Sequence, residues 1–230
     1  MNIFKQITVL LFLTGCFTSC AKSGSNDDES FSITKINEND PPYYWYRGEK
    51  ITLQKMSGKF YVVFYSTNEE KFRDELEKKG ISLDYVEEWA DYSHTGFDMS
   101  GSGALKLIDF KTSFIEGSHE MCATALSYAQ YWSPFYKTMD GSEIRITQLF
   151  TVILRSKADF PQLELLANEN CVEMIGWDTN DCFSDWYLLA CTNLSTGNAL
   201  EMANLFYESK LFENAFPEII ANAQLDLMKQ

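Results

Sequence analysis

The chain has 230 residues, of which 45% are hydrophobic and 15% aromatic, and it carries a formal net charge of −14. Its length suits one large domain or two small ones, and its apolar content is ample for a core. Binding to nucleic acid is not expected, because phosphate contacts need clustered lysine and arginine and the sequence has no basic stripe.

Residues 1–20 have the features of an export signal. Lys5 lies near the start, residues 7–13 form an apolar run, and small residues then lead to Cys16 and Cys20. This order is typical of a secretory signal peptide. The apolar run is shorter than the roughly 20 residues that a membrane-spanning helix needs, so we expect no permanent transmembrane anchor.

A signal that ends in a cysteine after small residues resembles the lipobox of bacterial lipoproteins, in which that cysteine is acylated. Residues 13–16 (LTGC) are the cleaner match but leave a very short apolar run, whereas residues 17–20 (FTSC) give a more usual length. We favour Cys20 as the lipidated residue, with Cys16 as the alternative; an ordinary secretory signal would require both matches to be chance. The resemblance implies an exported protein that is lipid-anchored to the outer membrane, at the cell surface or the periplasmic face.

Residues 21–40 are rich in Ser, Asn, Asp and Glu. Such a composition cannot bury enough apolar surface to offset the entropy lost on ordering, so we predict a disordered acidic tether. Residues 27–29 (DDE) resemble the acidic stretch of surface lipoproteins from Bacteroidetes-type bacteria, although an acidic linker can also simply be solvated.

The first predicted element after the tether is a hairpin. Residues 43–46 (YYWY) and 51–53 (ITL) are extended segments on either side of a turn at Gly48. Their aromatic rings can pack on a neighbouring sheet or form a surface on which sugars stack, and the core strand that follows favours packing.

A strand and a helix follow the hairpin. Residues 60–66 (FYVVFYS) are an almost continuous apolar run, which is typical of a strand buried on both faces. Thr67 and Glu70 have the spacing of a capping box, and Gly80 suits the end of a helix.

The second half of the chain repeats this pattern, with residues 150–156 (FTVILRS) as the strand and Asp159 at the start of the helix. After each helix come an extended segment with a tryptophan, a second extended segment, a second helix and a short segment with a proline. These segments are 85–90, 105–114, 118–129 and 133–138 in the first half, and 171–177, 186–192, 198–209 and 214–220 in the second half.

Each half therefore has the order strand, helix, strand, strand, helix, strand, which is the split-βαβ motif. We predict an α+β fold of two tandem ferredoxin-like (βαββαβ) units, each an antiparallel sheet with its helices on one face. The first unit spans residues 41–140 and includes the hairpin, and the second spans residues 141–230 and ends in a short tail.

The body of the chain offers few residues for metal binding or catalysis. Its cysteines and histidines are Cys122, Cys171, Cys182, Cys191, His94 and His119. Without a CxxC pair a zinc site is not expected, and the free thiols are interpreted as buried, with a Cys171–Cys191 disulfide as the alternative if their segments form a hairpin. Neither histidine lies in a GxSxG or HExxH context, and no phosphate-binding loop is present, so we expect no enzyme activity and no cofactor.

Much of the body resembles the propeptide region of subtilisin-like serine proteases from Bacteroidetes-type bacteria. The similar segments are FTVIL at 150–154, the helix at 159–169, YLLACT at 187–192, NALEMANLFYE at 198–208 and LFENAFPE at 211–218 in the second half, and YYWYRGEKITLQ at 43–54, FYVVF at 60–64 and SPFYKTMDGSEI at 133–144 in the first. The stretch 187–218 is the most specific part. The Asp, His and Ser segments of the protease itself do not appear in the remaining residues.

The resemblance implies a ferredoxin-like fold that assists folding of a subtilisin-like serine protease and then inhibits it. In that family the sheet packs on two protease helices, and the propeptide tail lies in the protease cleft. In this chain the corresponding tail residues are Ile219, Ile220, Ala221, Asn222, Ala223 and Gln224. The alternative interpretation of the same residues is a frayed chain terminus without a binding role.

Two other functions remain open from the sequence. The scaffold can serve a structural or glycan-binding surface lipoprotein, because a fold alone does not determine function. The chain can also be the remnant of a truncated protease gene.

Overall fold

The computed structural model contains β-strands and α-helices and describes residues 41–88, 97–98, 110–116, 126–178 and 185–221. The strands are β1 (Tyr43–Tyr46), β2 (Glu49–Thr52), β3 (Gln54–Tyr65), β4 (Ser82–Glu88), β5 (Phe97–Asp98), β6 (Phe110–Glu116), β7 (Ala129–Lys137), β8 (Glu143–Ile153), β9 (Glu173–Asp178), β10 (Trp186–Ala190) and β11 (Asn214–Ala221). The α-helices are α1 (Glu69–Lys78), α2 (Phe160–Glu169) and α3 (Ala199–Glu208). No helix in these ranges is both long enough and apolar enough to cross a membrane.

The predicted hairpin is confirmed as a two-stranded antiparallel sheet of β1 and β2. Its turn residues Arg47 and Gly48 have φ angles of 52° and 82°. Positive φ at both central positions is what the tight two-residue hairpin turn requires, and glycine adopts it without steric cost.

The other strands form one larger sheet in the order β4-β6-β3-β7-β8-β10-β9-β5, with β11 also paired to β8. Within the first half, the strands in chain order β3, β4, β6, β7 lie in the order β4-β6-β3-β7, and the pairings are antiparallel. Within the second half, β8, β9, β10, β11 lie in the order β9-β10-β8-β11, again antiparallel. The two halves thus share one strand order, and the predicted α+β class with antiparallel pairing is confirmed.

The boundary predicted at 140/141 lies in the turn between β7 and β8. The sheet continues through this turn, because Phe135 to Lys137 pair with Glu143 to Arg145. The Thr138 hydroxyl and the Ser142 amide both donate to the Asp140 carboxylate, and Gly141 has a φ of 87°.

The helices of the second half lie on one face of its sheet. Phe150 of β8 contacts Phe206 of α3 with ring centroids 5.2 Å apart, and Tyr187 of β10 contacts Phe160 of α2 at 5.3 Å. Tyr187 is paired with Val152, two residues from Phe150 on the same strand. Because residues two apart on a strand share a face, α2 and α3 cover the same side.

Helix α1 packs on the first half through a smaller core. Phe72 stacks on Phe64 of β3 at 4.5 Å, and both belong to a cluster with Val62 and Leu76. Alternation along β3 sends Tyr61 to the other face, where it joins a larger cluster that includes β8, β10, α2 and α3. The strands that the first half contributes to the larger sheet therefore pack against α1 on one face and against residues of the second half on the other.

Two details of the predicted first half are wrong. The predicted capping box of Thr67 is absent, because a 3-10 helix at Ser66–Asn68 precedes α1 and the N-cap residue Asn68 makes no side-chain bond. The predicted helix at 118–129 cannot extend to its stated end, because residues 126–128 form a turn and Ala129 begins β7. Most of that segment lies outside the described residues.

The propeptide resemblance implies that the sheet face of the second half that carries no helices is open to pack on a protease, and this expectation is also wrong. On the side away from α2 and α3, Leu149, Leu188 and Ala190 are only 0%, 5% and 3% exposed. They share the larger core cluster with Tyr61 and other residues of the first half. Much of that sheet face is therefore covered within the chain.

Candidate functional site

Several predicted site residues lie outside the described residues. They are the lipidation candidates Cys20 and Cys16, the tail residues Asn222, Ala223 and Gln224, and Cys122, Cys182, His94 and His119. Their proposed roles stay predictions.

The two described cysteines are both free. The alternative disulfide between them is therefore not formed. The interpretation of the free thiols as buried is confirmed for Cys191 and is wrong for Cys171, which is exposed. Burial raises the pKa of the Cys191 thiol, in spite of an opposing hydrogen bond from Ser195, and it therefore stays protonated at neutral pH. A protonated buried thiol is a poor nucleophile and a poor metal ligand.

The first three predicted tail residues belong to strand β11. Ile219, Ile220 and Ala221 pair with Ile146, Arg145 and Ile144 of β8. They are half-buried and continue the strand that starts at Asn214. Only residues beyond Ala221 can therefore act as a free tail.

Strand β11 lies at an edge of the second half. It is paired with β8 on one side, and no other strand in the described parts of the chain is paired with it. An unpaired edge presents backbone N–H and C=O groups that can accept a further strand. Pro217 and Glu218 interrupt this edge, and Glu218 accepts a hydrogen bond from Thr147.

The predicted aromatic surface of the hairpin is mostly used for packing. Trp45 stacks on Tyr207 of α3 at 5.0 Å, and the Trp45 Nε1 and Tyr43 Oη both donate to Glu208 of the same helix, at 2.9 and 2.6 Å. Tyr46 is the exception in this set, with 54% of its surface exposed. The hairpin is thus attached to α3. The rings of Tyr43 and Trp45 are used for packing, as interpreted, but they pack on a helix and not on the neighbouring sheet.

A cleft that the sequence did not indicate lies beside the start of α3. Its volume is about 420 Å³. Three segments that are distant in sequence form most of its walls: residues 41–43 before and within β1, residues 131–136 of β7, and residues 192–204 around the start of α3. Lys55 of β3 also lines the cleft.

Two buried tyrosines of β7, Tyr131 and Tyr136, are among the residues that line this cleft. Tyr131 Oη accepts a hydrogen bond from the Ala199 amide at 3.2 Å. Burial raises its pKa well above the ordinary value, and the nearby Cys191 adds to this effect. Burial also raises the pKa of Tyr136, followed by the negative charge of Glu201. Both side chains are therefore neutral hydroxyls over the whole physiological pH range.

The backbone amides at the start of α3 are hydrogen-bonded by side chains of the capping box. Asn198 Oδ1 accepts hydrogen bonds from the amides of Leu200 and Glu201 at 3.0 and 3.1 Å, and Glu201 Oε2 accepts from the Asn198 amide at 2.8 Å. This capping box satisfies the helix amides that would otherwise attract an anion. The cleft therefore offers side-chain groups to a ligand and no free helix terminus.

Comparison with known proteins gives little further information. No protein-family model and no curated protein matches the chain. Among solved structures, the small subunit of acetolactate synthase from Thermotoga maritima is similar with 9% sequence identity and a TM-score of 0.23, over 72% of this chain and 97% of that one. A likeness this weak carries no argument about function.

Proposed function

We propose that the chain is a non-catalytic exported lipoprotein whose second half binds a subtilisin-like serine protease, as an inhibitor or folding partner. The observation that carries the proposal is the strand order β9-β10-β8-β11 with α2 and α3 on one face. In chain order this is the arrangement 2-3-1-4 of a ferredoxin-like unit, the fold that the propeptide resemblance implies. The order β4-β6-β3-β7 supports a second such unit in the first half.

Because one face of the second half's sheet is buried, a protease has to contact a different part of this half. Because Leu149, Leu188 and Ala190 are covered, the sheet face is not the docking surface. The unpaired edge of β11 and the residues that follow Ala221 are the parts that a protease cleft can accept by strand addition.

Titration of the purified chain against a panel of secreted subtilisin-like proteases tests this function. We expect inhibition that is lost when residues 222–230 are deleted, with an unchanged melting curve, since these residues follow Ala221, the last strand position that the structure describes. The variant Leu165→Ala changes a side chain on α2 that is 60% exposed and serves as the control. Absence of inhibition and of complex formation across the panel would refute the proposal.

A folding partner is distinguished from an inhibitor by a refolding assay. A subtilisin-like protease that lacks its own propeptide is refolded with and without the chain, and the recovered activity is measured after the chain is removed. A higher yield supports assisted folding, whereas inhibition with an unchanged yield supports an inhibitor.

Export and lipid anchoring form a separate part of the proposal. It rests on the amino-terminal resemblance to a lipobox, with Cys20 favoured over Cys16. Labelling with a radioactive fatty acid in a bacterial host is expected for the natural chain and for Cys16→Ser but not for Cys20→Ser. If the Cys20→Ser variant is labelled and the Cys16→Ser variant is not, the lipidated residue is Cys16. If the natural chain is not labelled, the proposal of lipidation is contradicted.

A further inference from the structure

We propose that the cleft between β7 and the start of α3 binds a small uncharged polyhydroxylated ligand, such as a sugar ring. This inference does not rest on protease binding, because no residue of β11 lines the cleft. It rests on the size of the cleft, the balance of its charges and the types of group in its walls.

The size of the cleft suits a small molecule. At about 420 Å³ it lies toward the lower end of the range of about 300–1,000 Å³ found for small-molecule sites. Walls that come from three separate segments enclose a ligand from several sides, which a shallow surface depression does not. The cleft therefore fits a ligand of disaccharide size or smaller.

The charge of the cleft favours a neutral ligand. Its charged lining residues are Lys55 and Glu201, which have opposite signs. Glu201 is also committed in part, since its Oε2 accepts the Asn198 amide. The net charge of the chain, −14, disfavours an anionic ligand, and the positive charge of Lys55 disfavours a cationic one.

The walls offer hydrogen-bonding groups for the hydroxyls of a sugar and apolar surface for the C–H face of its ring. The exposed side chain of Asn193 can exchange hydrogen bonds with sugar hydroxyls. The Tyr131 hydroxyl already accepts from the Ala199 amide. The Tyr136 hydroxyl is hydrogen-bonded to the side chains of Ser133 and Asn198. Each of the two hydroxyls therefore uses its remaining hydrogen-bonding capacity for the ligand. Trp132 is half-buried and, with Pro42 and Leu200, supplies apolar surface for the C–H face of a ring. Because both tyrosines stay neutral, binding should not change between pH 6 and pH 8.

Saturation-transfer NMR on the full chain tests the proposal. The probes are glucose, methyl α-mannoside and methyl N-acetyl-β-glucosaminide, with glucuronate and glucosamine as charged counterparts of glucose. We expect transfer to at least one neutral probe and weaker binding of the charged pair. No binding by any probe, or tighter binding of either charged probe, would overturn the inference.

Three variants locate the binding. Tyr136→Phe removes one hydroxyl and should weaken binding about tenfold, which is the effect of one lost hydrogen bond at the upper end of the usual range. Asn193→Ala changes an exposed loop residue, so it keeps the test valid if the Tyr136 variant folds poorly, and it should also weaken binding. Tyr187→Phe, on β10 outside the cleft, is the matched control; equal affinity of all three variants and the natural chain would overturn the inference.

Discussion

The two halves of the chain place their strands in the same order, yet they hold their helices by different means. Helix α3 begins with a complete capping box between Asn198 and Glu201 and is buried in the larger core through Phe206. Helix α1 begins at Glu69, its N-cap residue Asn68 makes no side-chain hydrogen bond, and the helix packs on the smaller cluster around Phe72. Two units with the same strand order can therefore differ in how strongly capping and core packing stabilise their helices. We expect local unfolding to cost more free energy in the second half than in the first.

The largest loss of stability is expected for Phe206→Ala. Phe206 is fully buried and contacts Phe150 and Phe212 with centroids 5.2 and 5.7 Å apart. Removing such a ring leaves a cavity and should lower the free energy of unfolding by about 3–5 kcal/mol. Denaturant unfolding measures the loss, with Leu165→Ala on the exposed side of α2 as the control; a loss below about 1 kcal/mol would contradict the assigned core.

A smaller and more local loss is expected for Phe72→Ala. Phe72 is also fully buried, but it packs in the smaller cluster beneath α1. We expect a cost near about 3 kcal/mol, the lower end for this substitution, since fewer neighbours surround the cavity. Hydrogen exchange should quicken in α1 and stay unchanged in α3. Faster exchange across both halves would show that the two clusters open together.

The helix caps give the most direct comparison of the halves. Asn198→Ala removes the acceptor of two backbone amides and should cost about 1 kcal/mol. Asn68→Ala changes the equivalent position of α1, where no side-chain bond exists, and should cost almost nothing. Thermal unfolding of the two variants measures the difference. Equal losses would mean that the capping box of α3 does not stabilise the folded chain.

The smallest effect is expected in the turn that joins the halves. Hydrogen bonds from Thr138 and then from Ser142 lower the pKa of Asp140 below its ordinary value. Folding therefore favours the charged carboxylate, so its contribution is present above the ordinary pKa and is lost as the pH falls through the folded-state pKa. Asp140→Asn should melt slightly lower than the natural chain at pH 7 and at the same temperature near pH 2. A difference that persists at low pH would contradict this account.

The elements with local signals were predictable from the sequence. The hairpin around Gly48 and helix α3 with its cap at Asn198 appear where predicted, because turn and cap chemistry depend on neighbouring residues. Strand β8 was predicted from residue 150, but it begins at Glu143. Its first part includes Arg145, Thr147 and Gln148, whose polar side chains suggest solvent exposure although all three are buried.

The covered sheet face and the cleft could not be predicted in the same way. Leu149 is buried by packing between segments that are far apart in the chain, and periodicity does not report such packing. The cleft needs residues 41–43, 131–136 and 192–204 to meet, and none of these segments carries a recognisable binding motif. Both features follow from the way the two halves share one sheet and one core.

Hydrogen exchange of the full chain, with and without a subtilisin-like protease whose catalytic serine is replaced by alanine so that its cleft stays open, tests the central claim most directly. The account predicts slower exchange in β11 and in residues 222–230 when the protease is present, and unchanged exchange in α1 and β3. Unchanged exchange in β11, or protection confined to the first half, would contradict the proposal that the second half contacts the protease through its strand edge.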